Sequence, residues 1–351
     1  MKKLYRLKSR FLSYLLTVSV LLALNSFPAL AKETEGKISA GDEVYVGGMP
    51  FGIKLYTEGL LVVGFSPVDC DAGSTTPASD AGLTVGDVII EINGKKITTS
   101  VEFADTVGKS EGELQIKYLR RGEEHTVTLK PSLSKKDGRY KTGMWLRDST
   151  AGIGTVTFTH PDTLKFAGLG HGVCDVETGD LIPLQRGVAT EAKISGIKKG
   201  TPGTPGELRG YFTGADIGTI QSNTSCGVFG VLSKEVINPI MPGKVCIAPR
   251  GEVKVGEADI YCTLEGAEPS QFKINILRLP EDSSNFEIEV CDAALLEKTG
   301  GIVQGMSGSP IIQDGKLVGA VTHVLISNPT RGYGIYIEDM LDAEAEQQVN
   351  T

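Results

Sequence analysis

The chain has 351 residues, of which 40% are hydrophobic, 22% charged and 6% aromatic, and its formal net charge at pH 7 is −8. This length predicts two domains, at about 150 residues per domain. The 44 glycines, against 16 prolines, favour many tight turns between short strands and exclude a long helical bundle.

The segment 1–31 has the layout of a secretory signal. Five basic residues and no acidic one come first, an apolar run follows at 11–24, and Ala29-Leu30-Ala31 ends the segment. The run is shorter than the roughly 17–25 residues of a membrane-spanning helix. We therefore expect a signal peptide at 1–31, with an uncleaved N-terminal anchor as the alternative. Both predict an exported, extracytoplasmic protein.

The remaining chain is acidic and offers few metal ligands. Without the five basic residues of the signal it has 30 basic and 43 acidic residues, a net charge near −13. This charge argues against nucleic acid as a partner, because phosphate binding requires clustered Lys and Arg. The four histidines give one H-x-x-C pair, at His171 and Cys174. A structural zinc site normally needs four ligands, so we predict no metal and no cofactor.

Residues 44–131 predict a small β-rich domain. Apolar runs bounded by glycines and polar residues predict strands at 60–63, 88–92, 114–119 and 125–129. Asn93-Gly94 predicts a tight hairpin turn, because both residues tolerate positive φ. Residues 100–109 predict a helix with Ser100 as its N-cap.

Within this domain, the segment 77–94 resembles the PDZ domains of bacterial proteases. Its sequence is PASDAGLTVGDVIIEING. The resemblance implies that 49–55 is the carboxylate-binding loop, with Phe51, Gly52 and Ile53 binding a peptide, and that the next strand offers a free edge for strand addition. Phe51 stands where a smaller aliphatic residue is expected. The alternative is that Gly52 only makes a turn and that the groove is empty or filled by the chain itself.

The rest of the chain predicts a linker and a second domain. Residues 132–142 are polar and basic and predict a linker. In 143–351, short strands such as 152–158, 192–197 and 253–256 alternate with turns. This pattern predicts a barrel or sandwich, or a double barrel. Residues 339–348 predict a terminal helix or a frayed tail.

The segment Gly305-Met306-Ser307-Gly308-Ser309-Pro310 predicts a serine in a tight turn. Glycine allows the backbone to approach a substrate closely. Asp314-Gly315, between two apolar strands, predicts a hairpin with Ser307 at its mouth. The pattern resembles the nucleophile turn of chymotrypsin-like serine proteases. That resemblance implies Ser307 as nucleophile and the N–H groups of Gly305 and Ser307 as the oxyanion hole.

A serine nucleophile needs a base that accepts its proton, and His171 is the first candidate. It lies between two glycines and far before Ser307 in the chain, and chymotrypsin likewise has its base before its nucleophile. His323, which follows Ser307 on the predicted return strand, is the rival base, or else lines the specificity pocket. A cysteine hydrolase that pairs Cys174 with His171 is a third interpretation.

The residues alone leave the acid that would orient the histidine undecided. The candidates are Asp175, Asp180, Asp216, Asp259 and Asp292. Asp292 also opens a short predicted helix, where it would serve as the N-cap.

The PDZ-like segment, Gly170-His171-Gly172 and the Ser307 turn together resemble the SpoIVB peptidases, the stage IV sporulation protein B family of spore-forming bacteria. The resemblance extends from the signal segment to about Met340 and is most specific at 166–175, 302–323 and 328–337. It implies a small PDZ module followed by a chymotrypsin-like double β-barrel. It also implies a self-cleaving serine endopeptidase with Ser307, His171 and, by its distance to the serine, Asp292 as the catalytic residues.

The same resemblance implies where the protein acts and on what. Peptidases of this family are exported from the forespore into the space between the two membranes. There they cut a membrane-bound regulator, which releases an intramembrane protease and activates a late sigma factor. The PDZ module is implied to bind the enzyme's own N-terminal region and its target. The competing hypothesis is a non-catalytic PDZ–barrel scaffold that binds peptide termini without cutting them.

Overall fold

The computed structural model describes residues 37–237 and 242–349. The predicted signal segment 1–31 lies outside these ranges. In the part of the chain that the structure describes, no helix is both long and apolar enough to cross a bilayer.

Strands dominate the described ranges, as predicted. In chain order they are β1 (Glu43–Val46), β2 (Pro50–Phe65), β3 (Val68–Cys70), β4 (Gly73–Thr75), β5 (Val88–Ile92), β6 (Lys95–Lys96), β7 (Leu114–Arg120), β8 (Glu123–Leu129), β9 (Ser132–Leu133), β10 (Tyr140–Lys141), β11 (Met144–Thr159), β12 (Lys165–Gly168), β13 (Leu184–Lys198), β14 (Glu207–Thr224), β15 (Gly227–Leu232), β16 (Lys244–Ile247), β17 (Gly256–Cys262), β18 (Ser270–Arg278), β19 (Asn285–Val290), β20 (Pro310–Gln313), β21 (Lys316–Leu325) and β22 (Asn328–Tyr336). The helices are α1 (Pro77–Asp80), α2 (Ser100–Gly108), α3 (Lys234–Ile237), α4 (Ala293–Thr299) and α5 (Ile337–Val349), with a 3-10 turn at Arg250–Glu252.

A first barrel closes from antiparallel strands in the order β2, β11, β12, β15, β14 and β13, and β13 pairs back onto β2. Its interior is filled by apolar side chains that alternate along these strands, among them Phe51, Leu55, Phe166 and Val228. Inward and outward side chains alternate because a strand has a period of two residues. The closed ring leaves the barrel without a free sheet edge.

The PDZ module interrupts this barrel between β2 and β11. Leu60 and Leu61, in the second half of β2, pair with β5, which pairs with β7, and β7 pairs with β8. Apolar residues of these strands and of α2, including Leu60, Ile89, Phe103 and Ile116, form a core of their own. The predicted turn at Asn93-Gly94 is confirmed by φ values of 52° and 75°.

A second barrel closes in the order β17, β18, β19, β22, β21 and β20, and β20 pairs back onto β17. Ile260, Phe286, Ile311 and Val321 lie in its core. The predicted hairpin after Ser307 is confirmed as β20 and β21. The predicted PDZ module with a double β-barrel is therefore confirmed.

Several predicted boundaries are wrong. Residues 44–57 belong to the first barrel and not to the PDZ module, because β1 pairs with β11 and the first half of β2 pairs with β11 and β13. The predicted linker 132–142 is packed on the module, where β9 pairs with β10 and the Ala78 N–H donates to the Thr142 carbonyl.

Two local predictions also need correction. The strand predicted at 253–256 is a loop after the 3-10 turn, and β17 begins only at Gly256. The N-cap of α2 is Thr99, whose hydroxyl accepts the Glu102 N–H, one residue before the predicted Ser100. The predicted terminal helix is present as α5.

Candidate active site

A cavity of about 490 Å³ lies between loops of the two barrels and is lined by Ser307, His171 and His323. We call it the Ser307 cavity. The first barrel contributes Ile153 and Val173 to its wall, and the second contributes Ile302 and Val324. Residues that are far apart in the sequence are thus brought to one site, because both barrels present loops to the same gap.

Ser307 lies in the turn before β20. The turn is held by bonds from the Ser309 N–H to the Met306 carbonyl and from the Gly308 N–H to the Val321 carbonyl. A side chain at position 308 would overlap the Thr155 carbonyl oxygen, so glycine is required for this close approach. Thr155 of β11 holds the other side of the turn: its N–H donates to the Ser307 carbonyl (3.0 Å) and its hydroxyl to the Gly305 carbonyl (2.8 Å).

The N–H groups of Gly305 and Ser307 are the predicted oxyanion hole. Neither donates a hydrogen bond to any of the described residues, whereas the N–H groups of Gln304, Met306, Gly308 and Ser309 all do. Gly305 and Ser307 also line the cavity. Two free donors at its wall are what the stabilisation of an oxyanion requires. The role itself stays a prediction.

His171 follows β12 in a loop held by side chains of β14. The Val173 N–H donates to the Asn223 side-chain oxygen, and the Asn223 amide donates to the Val173 carbonyl. His171 Nδ1 lies 2.9 Å from the Gly172 carbonyl oxygen. Because a carbonyl oxygen can only accept, this bond requires the proton on Nδ1 and leaves Nε2 as the basic nitrogen.

His323, the rival base, lies against His171. The ring centroids are 4.9 Å apart. Partial burial and the neighbouring His171 imidazole lower the pKa of His323. Burial and a neighbouring imidazole both disfavour the charged form of a histidine.

The Ser307 hydroxyl donates to the Thr322 carbonyl at 2.8 Å. It therefore does not donate to an imidazole, and catalysis requires that it turn to one. Serine reaches a new partner by rotation of a single side-chain torsion between staggered positions. Hydrogen bonds between catalytic groups are often absent or long before substrate binds.

The prediction that Asp292 orients His171 is wrong. Asp292 is the N-cap of α4: its carboxylate accepts the N–H groups of Ala294 and Leu295, and it also accepts that of Lys273. It does not line the Ser307 cavity. Asp residues are favoured at this helix position because their oxygens satisfy free N–H groups. Among the described residues, no carboxylate is hydrogen-bonded to either imidazole of the cavity.

Asp175 instead stabilises the loop that carries His171. Its buried carboxylate accepts the N–H groups of Glu177 and Thr178 and pairs with Arg147 of β11. Burial acts to raise the pKa of Asp175, but the bonds from Thr178 and Glu177 and the Arg147 charge outweigh it, and the pKa lies below its ordinary value. The His171 loop is thereby tied to the strand that also holds the Ser307 turn.

Cys174 lines the same cavity, and its Sγ lies 4.0 Å from the Gly172 carbonyl oxygen. The cysteine hydrolase of the third interpretation stays untested. Over the described ranges, no three or more His, Cys, Asp or Glu side chains are grouped so that they could hold a metal ion.

The prediction of a carboxylate-binding loop at Phe51, Gly52 and Ile53 is wrong. These residues lie near the start of β2, paired with β11 on one edge and β13 on the other. Phe51 and Ile53 are buried in the first barrel. A side chain at Gly52 would overlap Thr190 Oγ1 and crowd the Phe212 ring, so no peptide can approach there.

The groove of the PDZ module lies elsewhere, between α2 and the first residues of β11. Its cavity of about 440 Å³ is lined by Phe103, Ala104 and Val107 of α2 and by the segment 143–146. Residues 144–146 pair with β2 on one edge, and no other described strand occupies the opposite edge. An extended peptide can add to such an edge. The sequence signal was Gly143 before Met144-Trp145-Leu146, a segment that the prediction assigned wholly to the second domain.

Comparison with known proteins gives two family matches. Residues 138–341, more than half of the chain, match the family described as SpoIVB peptidase S55. Residues 62–130 match the PDZ domain. The second match agrees with the inserted module.

Individual relatives match shorter parts. Serine protease HTRA1 of Xenopus laevis is 43% identical over 16% of this chain, and zinc metalloprotease RasP of Geobacillus kaustophilus is 32% identical over 25% of it. The chain spans only 12% and 28% of those relatives. The Rv3671c protease of M. tuberculosis in its active form is 14% identical, with a TM-score of 0.33, over 56% of this chain and 74% of that one. The PDZ domain of the SdrC-like protein of Listeria monocytogenes is 28% identical over 25% of this chain and 87% of that one, with a TM-score of 0.21.

Proposed function

The chain belongs to the SpoIVB peptidase S55 family of serine peptidases, and we propose that it is an exported endopeptidase that cleaves itself and then cuts a membrane-bound regulator during sporulation. The observation that carries the chemical part is the Ser307 cavity, where one serine hydroxyl, two free N–H groups and two imidazoles lie together.

In the proposed reaction, Nε2 of His171 accepts the Ser307 proton as the hydroxyl oxygen attacks the scissile carbonyl carbon. The N–H groups of Gly305 and Ser307 stabilise the oxyanion, and one such donor lowers the barrier by about 2.7–4 kcal/mol. The imidazolium then gives its proton to the leaving amine. Water attacks the acyl-enzyme by the same route and restores the serine. The Gly172 carbonyl holds the reactive tautomer of His171, a task that an aspartate performs in chymotrypsin.

The proposed partners follow from the module and its groove. The edge of β11 beside α2 fits an extended peptide end, and we assign to it the protein's own N-terminal region and the target protein. Residues 1–36, which contain that region, lie outside the described ranges. The proposed location is the space between the two forespore membranes, with the N-terminal segment as an anchor until it is cut.

Mass spectrometry of the protein's N-termini tests self-cleavage. Purified wild-type protein, incubated alone, should lose its N-terminal region with time, and Ser307→Ala should keep it. Ser309→Ala is the matched control, because the buried Ser309 hydroxyl has no hydrogen-bond partner among the described residues and its loss should leave cleavage unchanged. Equal trimming of Ser307→Ala and wild type would contradict the proposal.

A non-catalytic scaffold is the second candidate function. It is favoured by the Ser307 hydroxyl, which donates to Thr322 and not to an imidazole. A fluorophosphonate distinguishes the two functions, because it reacts only with an activated serine hydroxyl. A scaffold would stay unlabelled but would still bind peptides at the groove.

A further inference from the structure

The part of the Ser307 cavity that belongs to the second barrel is built for apolar side chains. It is formed by the segment before the serine turn, with Ile302 and Val303 each 2% exposed, and by the end of β21, with Val324. Pro205 and Ile326 complete this wall. Ile326 is 57% exposed although it is a large aliphatic residue. Ligand cavities are lined mostly by apolar side chains, and Ile326 extends the apolar lining of this cavity to its mouth.

The strand edge beside this wall determines how a substrate lies. β21 pairs with β22 along one edge, and its pairing with β20 on the other ends at Ala320. Beyond that point the edge faces the Ser307 turn. The Gly308 N–H donates to the Val321 carbonyl, and the Ser307 hydroxyl donates to the Thr322 carbonyl. No described strand pairs with this edge at 323–325. An extended substrate can therefore add its backbone there.

The free N–H groups of Gly305 and Ser307 fix the position of the scissile carbonyl. We place the scissile carbonyl at these donors and the preceding substrate backbone along β21. The side chain of the substrate residue before the scissile bond then lies between residues 302–304 and 322–326. No Asp, Glu, Lys or Arg of the described ranges lines this cavity. The nearby charges of Glu207 and Arg209 line a separate cavity that shares Ile153, Gln304 and Gly305. A charged side chain would be desolvated here without a partner, which is strongly unfavourable.

We propose that the peptidase cleaves after an apolar residue and that Val324 and Ile326 determine this specificity. The inference rests on the proposed roles of Ser307 and the oxyanion N–H groups, but not on self-cleavage or on any particular target. Val324 packs against the second core and sets the depth of the pocket. Ile326 sits at the rim and is the position where the preference can be changed without disturbing the core.

A mixture of synthetic peptides tests the proposal, with the cleavage products identified by mass spectrometry. The peptides present every residue type before the scissile bond, and none of them contains a segment of this chain. Wild-type protein should cut after aliphatic or aromatic residues and not after Lys, Arg, Asp or Glu. Ile326→Asp should raise kcat/KM for substrates with Lys or Arg at that position, relative to apolar ones, by about tenfold or more. The introduced carboxylate supplies the partner that a cation lacks in wild type.

Val255→Asp is the matched control, because Val255 is 62% exposed and lies outside the cavity. The cleavage preference of this variant should remain that of wild type. Cleavage by wild-type protein after charged residues would overturn the proposal. An unchanged preference in Ile326→Asp would overturn the assignment of that residue. Since the mixture contains no part of this chain, apolar preference without any self-trimming would support this proposal and contradict self-cleavage.

Discussion

The PDZ groove and the Ser307 cavity share one strand, since β11 lines the groove with residues 144–146 and the cavity with 150–153. The groove is otherwise formed by residues 66–69, 100–107 and 134–143, which belong to one inserted module. The cavity needs loops from two barrels, and His171 and Ser307 lie far apart in the sequence. Peptide recognition can therefore form within a local unit, whereas the chemistry depends on the closure of both barrels.

The largest expected difference between the two regions comes from Ser307→Ala. It should lower kcat for peptide hydrolysis by about 10⁶-fold, the scale seen when a nucleophile is removed from such a unit. Peptide binding at the groove should stay at the wild-type level in fluorescence anisotropy. Ser309→Ala should preserve both properties. Residual hydrolysis close to that of wild type would remove Ser307 from the mechanism.

The two histidines should differ in the same assay. His171→Gln should lower kcat by about 10⁴-fold or more, because it removes the base. His323→Gln should lower kcat by much less, because in the proposed reaction His323 packs against the base and does not itself accept the serine proton. The reverse order of effects would make His323 the base. Groove binding should be unaffected in both variants.

Gly52→Val tests whether the start of β2 belongs to the first barrel or to a peptide-binding loop. The added side chain would overlap Thr190 and Phe212 inside the first barrel, and overpacking of this kind costs about 1–3 kcal/mol or more. We expect a lower free energy of unfolding, measured by urea denaturation, together with lost hydrolysis. Gly64→Val is the control on the same strand, because the nearest atom to an added Cβ there is 3.9 Å away. Weakened peptide binding at unchanged stability would restore the carboxylate-loop interpretation.

Ala104→Trp should weaken peptide binding at the PDZ groove and leave the chemistry of the Ser307 cavity unchanged, the reverse of Ser307→Ala. Ala104 is exposed on α2 and lines the groove, so an indole there fills the space of a bound peptide. We expect peptide affinity to fall about tenfold or more, as when a contact worth about 1.4 kcal/mol is lost, with hydrolysis of a small ester unchanged. Val101→Trp, on the same helix but outside the groove, should bind peptide as wild type does. Equal peptide affinity of Ala104→Trp and Val101→Trp would exclude this groove as the peptide-binding site.

The smallest effect concerns pH and stability. His323 has a lowered pKa in the folded protein, so the unfolded chain binds more protons when the pH falls below about 6.5. The stability linked to neutral His323 is complete above this pH and is lost as the pH falls through the lowered pKa. The Tm of wild type should therefore decrease more steeply between about pH 7 and pH 5 than that of His323→Gln. Equal slopes for wild type and His323→Gln would contradict this prediction.

Sequence reasoning succeeded where the signal is local. The Ser307 turn and its hairpin were predicted because glycines and the pair Asp314-Gly315 restrict the backbone directly. The cap role of Asp292 was the correct alternative for the same reason. The catalytic role assigned to it came from the family resemblance and not from a local signal.

Predictions from the sequence were wrong where the same pattern is compatible with two structures. An apolar segment with a glycine, as at 49–55, suits a peptide-binding loop and equally a barrel strand packed closely against its neighbours. The basic segment 132–142 resembles a linker, although it forms part of a groove wall. The ties from Thr155 to the Ser307 turn and from Arg147 to Asp175 depend on strand register, which no local pattern reveals.

Labelling with a fluorophosphonate, followed by peptide mapping, tests most directly whether His171 activates Ser307. We expect one adduct, on Ser307, that is formed by wild type, Ser309→Ala and His323→Gln and is absent from Ser307→Ala and His171→Gln. An adduct on another residue, or labelling of Ser307 that proceeds equally without the His171 imidazole, would contradict it.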